Sequence, residues 1–142
     1  MGFDILINKE KTYVKLDPKN DVVFQKIFGN KENKDVLISF LNAILKNELS
    51  QTIISVELDD KILNTEMILD EKIGILDIRV TTNKNVKINI EIQLLNQYNM
   101  IQRTLFYWSK LYFDQISIGS KYSELEKTIT INILNFKYLD LE

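Results

Sequence analysis

Two carboxylate side chains, Asp77 and Glu91, occur in neighbouring segments that alternate between apolar and polar residues. The even-numbered residues 76–80 and 86–94 are apolar, so each segment has the period of a β-strand with one buried face. A three-residue loop at Asn83, Lys84 and Asn85 would pair odd-numbered residues with odd-numbered ones and bury both apolar sets together. This register predicts that Asp77 lies directly opposite Glu91, with Cβ atoms about 5 Å apart.

Two carboxylates at this separation repel each other and require a positive charge between them. A divalent cation would supply it, and ligation by oxygen alone favours Mg2+, with Mn2+ as a substitute. The expected ligands are Asp77, Glu91 and the main-chain carbonyl of Ile92, with Gln93 on the same side. The alternative is a solvated polar face on which Arg79 and Lys87 form cross-strand ion pairs with the carboxylates.

The composition excludes several other chemistries. The 142 residues include no Cys and no His, which excludes disulfides, thiolate and imidazole catalysis, and zinc sites of the usual ligand types. None of the four Gly residues stands in a phosphate-binding loop pattern. The net charge of -2 does not by itself indicate a nucleic-acid-binding domain, although local basic patches are present.

The pattern along the chain predicts the elements that would position these residues. Asp17 as N-cap, Pro18 at the first helical position and Gly29 at the end predict a short helix, and a second helix is expected over 33–47. Strands are expected from residue 52, over 73–81, over 86–94 and over 128–136. A long helix over 98–118 is expected to bury an apolar stripe formed by Ile101, Leu105, Trp108, Leu111 or Tyr112, and Ile116.

This order of elements indicates an α/β fold with a mixed sheet. Two N-terminal helices precede three strands, a long helix and a final strand, so the hairpin is antiparallel and the helical crossover is parallel. We expect one domain over residues 1–142. No apolar run approaches the roughly 20 residues that cross a bilayer, and the first residues do not resemble a secretory signal, so a cytoplasmic protein is expected.

Six segments, taken together and in this order, resemble a known nuclease family. They are "KNDVVFQKIFGN", "LISFLNAIL", "GILDIRV", "INIEIQ", "QRTLFYWSKLY" and "TITINILNF". An Asp followed on the next strand by Glu-x-Lys is the signature of the PD-(D/E)XK nucleases. This chain resembles one branch of that family, the transposases and Rpn-like recombination-promoting nucleases, which have Gln in place of the Lys. The resemblance implies a restriction-endonuclease-like core and Mg2+-dependent cleavage of DNA, linked to recombination or transposition.

The resemblance also implies roles for individual residues. Asp77 and Glu91 match the metal-binding pair, and Gln93 matches the position of the usual Lys, whose positive charge an amide cannot provide. Arg103 and Tyr107 match polar family positions and are expected to contact the phosphate or stabilise the transition state; a surface ion pair and a core position are the alternatives for them.

Two other charged residues, Lys72 and Asp21, have two interpretations each. Lys72 is a further candidate cation, or a solvated lysine at a strand edge. Asp21 is an auxiliary ligand, or a first-turn charge favoured by the helix dipole. Lys110 follows Arg103 and Tyr107 on one side of the long helix, and the aromatic residues around Tyr107 are expected to be packing residues.

Two classes of function are therefore open. The first is a DNA endonuclease, for which cutting two strands would favour a homodimer. The second is a catalytically decayed DNA- or protein-binding module on the same fold, which the amide at Gln93 favours. Family members usually continue past the fourth strand, which leaves open that the chain is an excerpt lacking a C-terminal extension.

Overall fold

The computed structural model describes residues 17–59 and 78–139. Within these ranges the chain has the expected α/β fold, with all of its described elements in the expected order. The helices are α1 (Asp21–Phe28), α2 (Lys34–Leu45) and α3 (Met100–Phe113), and the strands are β1 (Val56–Leu58), β2 (Ile78–Thr82), β3 (Lys87–Gln93) and β4 (Thr128–Leu134). No helix in this part of the chain is long and apolar enough to cross a membrane.

The four strands form one mixed sheet in the order β1-β2-β3-β4. The first two pairs are antiparallel and β3 pairs with β4 in parallel, as expected for a hairpin followed by a helical crossover. Arg79 lies opposite Asn89, so odd-numbered residues pair with odd-numbered ones and the predicted hairpin register is confirmed. The turn has Asn85 at a φ of 60°, a left-handed conformation that Asn tolerates better than most residues.

One face of the sheet carries the hydrophobic core. The even-numbered side chains Ile88 and Ile90 of β3 are fully buried, and they pack with Leu37 and Leu41 of α2 and Phe24 of α1. Burial of these large apolar side chains, each worth about 1.5–3 kcal/mol, fixes which face of each strand turns inward. The odd-numbered residues of β2 and β3 are therefore held on the opposite face.

The opposite face is polar and is covered by α3. Contrary to the expectation, the first part of the apolar stripe does not face the sheet, because Ile101 and Leu105 are each 59% exposed. The later part is as expected, because Leu111 is buried and Trp108 and Ile116 are partly buried. In the first part, the sheet-facing side instead includes Arg103 and Thr104, which bond to polar side chains of β3 and β4. The helix thus presents polar groups to a polar face, because a buried polar group needs a hydrogen-bond partner more than an apolar group needs burial.

Two exposed aromatic residues of α3 show the same reversal. Phe106 is 51% exposed and Phe113 is 76% exposed, so the interpretation of the aromatic cluster as packing was wrong for these two. Trp108 and Tyr112 are partly buried and stack on each other, with ring centroids 5.0 Å apart.

The start of α1 also differs from the prediction. Asn20, and not Asp17, is the N-cap: its side-chain oxygen accepts hydrogen bonds from the backbone N–H groups of Val22 and Val23. Pro18 therefore lies outside the helix, in a turn where Asp17 accepts a bond from the Lys19 N–H. An Asp side chain before a proline can form such a turn as readily as it caps a helix, and the sequence does not distinguish the two.

Candidate functional site

Glu91 and Gln93 lie on the polar face of β3, near the end of that strand. Their side chains point to the same side because they are two residues apart in an extended segment. Ile92 stands between them in the sequence, and its side chain points to the other face of the strand, where it packs against the hydrophobic cluster. Glu91 is only 3% exposed and Gln93 only 8% exposed, so both lie beneath α3 and not on a solvated surface.

The positive charge that faces Glu91 comes from α3. The Arg103 Nε donates to Oε1 of Glu91 in a buried ion pair. One helical turn further along, the ring of Tyr107 lies below the guanidinium, with 5.2 Å from Cζ to the ring centroid. Arg103 is thus held between a carboxylate and an aromatic face, and the sequence-based alternative of a surface ion pair is wrong.

Further polar contacts fix the position of α3 over the sheet. Asn132 Nδ2 donates to Thr104 Oγ1 at 3.1 Å, and Trp108 Nε1 donates to the backbone oxygen of Thr128 at 3.0 Å. Asn132 is the register partner of Glu91 across the parallel pair. The helix that carries Arg103 is therefore bonded to the strand beside Glu91, which restricts the distance over which the arginine can move.

Several buried polar atoms near this pair have no hydrogen-bond partner in the described part of the chain. Each buried polar atom without a partner lowers the free energy of unfolding by about 1–3 kcal/mol. The concentration of such atoms on one face therefore indicates a place where water, an ion or a ligand binds. They are Arg79 Nη2, both amide atoms of Asn89, Gln93 Oε1, Thr130 Oγ1 and Asn132 Oδ1.

The described part of this face is buried and not solvated, which contradicts one part of the sequence-based alternative; the ion pairs expected for Asp77 lie outside the described residues. Arg79 is 7% exposed and Asn89 is fully buried. Lys87 donates to the hydroxyl of Thr81 at 3.0 Å. The ion pair made by Glu91 therefore crosses from the sheet to a helix and not from strand to strand.

The remaining candidate residues have different outcomes. Asp77 and Lys72, and with them the predicted pairing of Asp77 with Glu91, lie outside the described residues. Lys110 is on the sheet-facing side of α3, with its ammonium 3.9 Å from the carboxylate of Asp114. Asp21 opens α1, where its charge is favourable to the helix dipole.

Two described residues offer oxygen atoms of the kind that a metal ion could bind. No cluster of three or more His, Cys, Asp or Glu residues suited to a metal ion occurs within residues 17–59 and 78–139. The oxygens that are present, a buried carboxylate at Glu91 and a buried amide oxygen at Gln93 without a partner, are of the type that a hard cation prefers. The donor chemistry of these two residues therefore fits Mg2+ or Mn2+.

Sequence reasoning did not anticipate the contribution of β4. Thr128, Thr130 and Asn132 continue the polar face next to Lys87, Asn89 and Glu91, in a parallel register. The signal was present, because "TITINIL" alternates Thr, Thr, Asn with Ile. Extending the polar face of the hairpin to this strand would have predicted that the polar side of α3 covers it.

Comparison with known proteins identifies a family and nothing closer. The family model described as "PD-(D/E)XK nuclease family transposase" matches residues 18–142. No curated protein matches the chain, and no solved structure does.

Proposed function

The chain belongs to the PD-(D/E)XK nuclease family transposases, and we propose that it is a Mg2+-dependent DNA endonuclease that hydrolyses phosphodiester bonds during recombination or transposition. The observation that carries this proposal is the placement of Glu91 and Gln93 side by side on a buried polar face, where Glu91 pairs with an arginine from α3. Membership in the family supports a nuclease- or transposase-related function. The metal, the substrate and the residue roles are our proposal.

The hairpin register supports Asp77 as the partner of Glu91. Arg79 pairs with Asn89, and the same register carried two residues further would pair position 77 with position 91. We propose that Asp77 and Glu91 bind the ion together with the main-chain carbonyl of Ile92. When bound, the ion would supply Lewis-acid chemistry and a water of lowered pKa, which removes the need for a histidine.

The protein's own residues would complete the site. Arg103 neutralises the Glu91 carboxylate, and the ring of Tyr107 lies against the guanidinium. With the Glu91 carboxylate serving as a metal ligand, Arg103 would be placed to donate to a phosphate oxygen. The amide of Gln93 can orient a ligand through hydrogen bonds but cannot contribute a charge.

A plasmid-nicking assay with Mg2+ or Mn2+ tests the proposal. We expect the intact protein to nick supercoiled DNA only with a divalent ion, and both Asp77→Ala and Glu91→Ala to reduce nicking to background. Glu57→Gln is the matched control, since Glu57 is an exposed carboxylate on β1 and its replacement should leave nicking unchanged. Equal nicking by the parent and the two Ala variants would show that the activity belongs to another site or protein.

A decayed DNA- or protein-binding module is the second candidate. The observation that favours it is the Glu91–Arg103 ion pair, which already satisfies the charge of the carboxylate without a metal. This candidate predicts DNA binding that is indifferent to divalent ions and to Glu91→Gln. It also predicts no nicking under any metal condition.

We further propose that the protein is cytoplasmic and that two copies act together where both strands of the DNA are cut. Sedimentation in the presence of a DNA duplex would test the second point. A complex containing one copy per duplex, with double-strand cleavage intact, would contradict it.

A further inference from the structure

A separate cavity of about 710 Å³ lies beneath the C-terminal half of α3. Its floor is formed by β2 and β3, including Arg79 and Lys87, and its side by Lys110 of the helix. Neither Glu91 nor Arg103 lines it, so it is distinct from the candidate metal site although it opens on the same face of the sheet.

The floor of the cavity contains a buried arginine that forms no ion pair with any described residue. Arg79 is 7% exposed, its Nη2 has no hydrogen-bond partner, and the ion pairs formed within the described ranges do not include it. An arginine cannot escape this cost by losing its proton, because the guanidinium stays protonated in proteins. A buried charge of this kind is stable only when an anion or water completes its hydrogen bonds.

The neighbouring charges define what anion would fit. Lys87 and Lys110 add two positive charges, although Asp114 lies 3.9 Å from the ammonium of Lys110 and offsets it. The acidic groups Asp59, Glu124 and Glu126 also line the cavity, and all three are exposed to solvent, which screens them. Asp59 lies beside Arg79, because its backbone N–H donates to the Arg79 carbonyl at 2.8 Å. The carboxylates of the lining limit the negative charge that the cavity can accept, which favours a ligand with a single negative charge over a polyphosphate.

We infer that this cavity binds one phosphate group, with Arg79 as its main ligand. A planar guanidinium matches the oxygens of a phosphate with two parallel hydrogen bonds. Because Arg79 pairs with Asn89, it is a diagonal neighbour of Glu91, and such neighbours lie about 7–8 Å apart. The phosphate would thus belong to the nucleic-acid backbone beside the bond that is cut; this assignment rests on the proposed function, whereas phosphate binding itself does not.

Thermal unfolding with increasing inorganic phosphate tests the site. We expect phosphate to raise the Tm of the parent along a saturating curve, and Arg79→Met to abolish the saturating part, because ligands that bind only the folded state stabilise it. Lys110→Met, which alters only a partly exposed side chain, should weaken phosphate binding without affecting folding. Lys46→Met, an exposed lysine just after α2, is the control and should retain the whole effect.

Two results would overturn the inference. One is an equal phosphate effect in the parent, Arg79→Met and Lys110→Met, which would mean general exclusion of phosphate from the protein surface. The other result combines two observations: Arg79→Met has a lower Tm than the parent in phosphate-free buffer, and Lys110→Met binds phosphate as well as the parent does. Together they would mean that Arg79 already has partners and only supports the fold.

A labelled single-stranded oligonucleotide, followed by fluorescence anisotropy in metal-free buffer, identifies the source of the phosphate. We expect Arg79→Met to bind it about tenfold or more weakly, as for loss of a charge-assisted hydrogen bond, and inorganic phosphate to compete in the parent. Unchanged oligonucleotide binding, with free phosphate binding lost, would assign the site to a small phosphorylated molecule and refute the nucleic-acid assignment. Because no divalent ion is present, absence of nicking activity would not change either result.

Discussion

Replacing Arg103 by Met should destabilise the metal-free protein strongly, because it leaves a buried carboxylate without its counter-charge. Glu91 is 3% exposed and the arginine side chain 12% exposed, so water can replace little of the lost interaction. Removing one partner of a buried ion pair costs about 3–5 kcal/mol. At about 3 °C per kcal/mol for a chain of this length, the Tm should fall by about 9–15 °C.

A double-mutant cycle separates this loss from general damage to α3. Glu91→Gln alone should cost about 1–2 kcal/mol, because the arginine left behind is closer to solvent. The double variant should lie within about 1 kcal/mol of the parent, since replacing both members of a buried pair by neutral groups is often close to neutral. Lys110→Met is the control, because its ion pair with Asp114 is largely solvated and worth less than about 0.5 kcal/mol.

Urea denaturation followed by circular dichroism provides the free energies of unfolding for the cycle. A loss below about 1 kcal/mol for Arg103→Met would refute the reasoning, because Glu91 would then be neutralised by something else. A double variant as unstable as the single one would also refute it, because the defect would then lie in packing and not in an unpaired charge.

Four other substitutions test the packing of the fold, each by urea denaturation. Leu105→Ala should change the free energy of unfolding by less than about 0.5 kcal/mol, because this side chain is 59% exposed. Leu111→Ala should lower the free energy of unfolding by about 2–4 kcal/mol, because this side chain is only 8% exposed. The reverse order would contradict the orientation of α3. Asn42→Ala should cost about 1–3 kcal/mol and increase hydrogen exchange at the Ile53 amide, because the Asn42 side chain bonds both the N–H and the C=O of Ile53, at 2.9 and 2.8 Å; unchanged exchange would contradict this. Asn89→Val should lower the free energy of unfolding by about 1 kcal/mol, because the fully buried amide belongs to the polar atoms that bound water, an ion or a ligand would satisfy; a gain would mean that nothing binds there.

The sequence predicts the hairpin and its register well because two constraints agree. Alternation sets which residues face the core, and the three-residue turn ending at Asn85 sets the parity of the pairing. A slip by one residue would move Ile88 and Ile90 to the polar face and Asn89 into the core. No competing arrangement of this segment buries the same apolar area, so local pattern and fold coincide.

The sequence does not predict which face of α3 covers the sheet, because that choice depends on a distant strand. A helix with Ile101 and Leu105 along one side is usually packed through those residues. Here the surface beneath it is polar, and Arg103 binds Glu91 on that surface. The partner of Arg103 becomes apparent only after β3 and β4 are placed side by side, and no local window of sequence contains that information.

The direct test of the central claim is anomalous diffraction from a crystal of the protein soaked in Mn2+. We predict a peak about 2.1–2.2 Å from carboxylate oxygens of both Asp77 and Glu91, with the Arg103 guanidinium moved away from Glu91. Saturating Mn2+ without a peak at these carboxylates, and with the Glu91–Arg103 ion pair intact, would contradict the assignment of this site to metal-dependent cleavage.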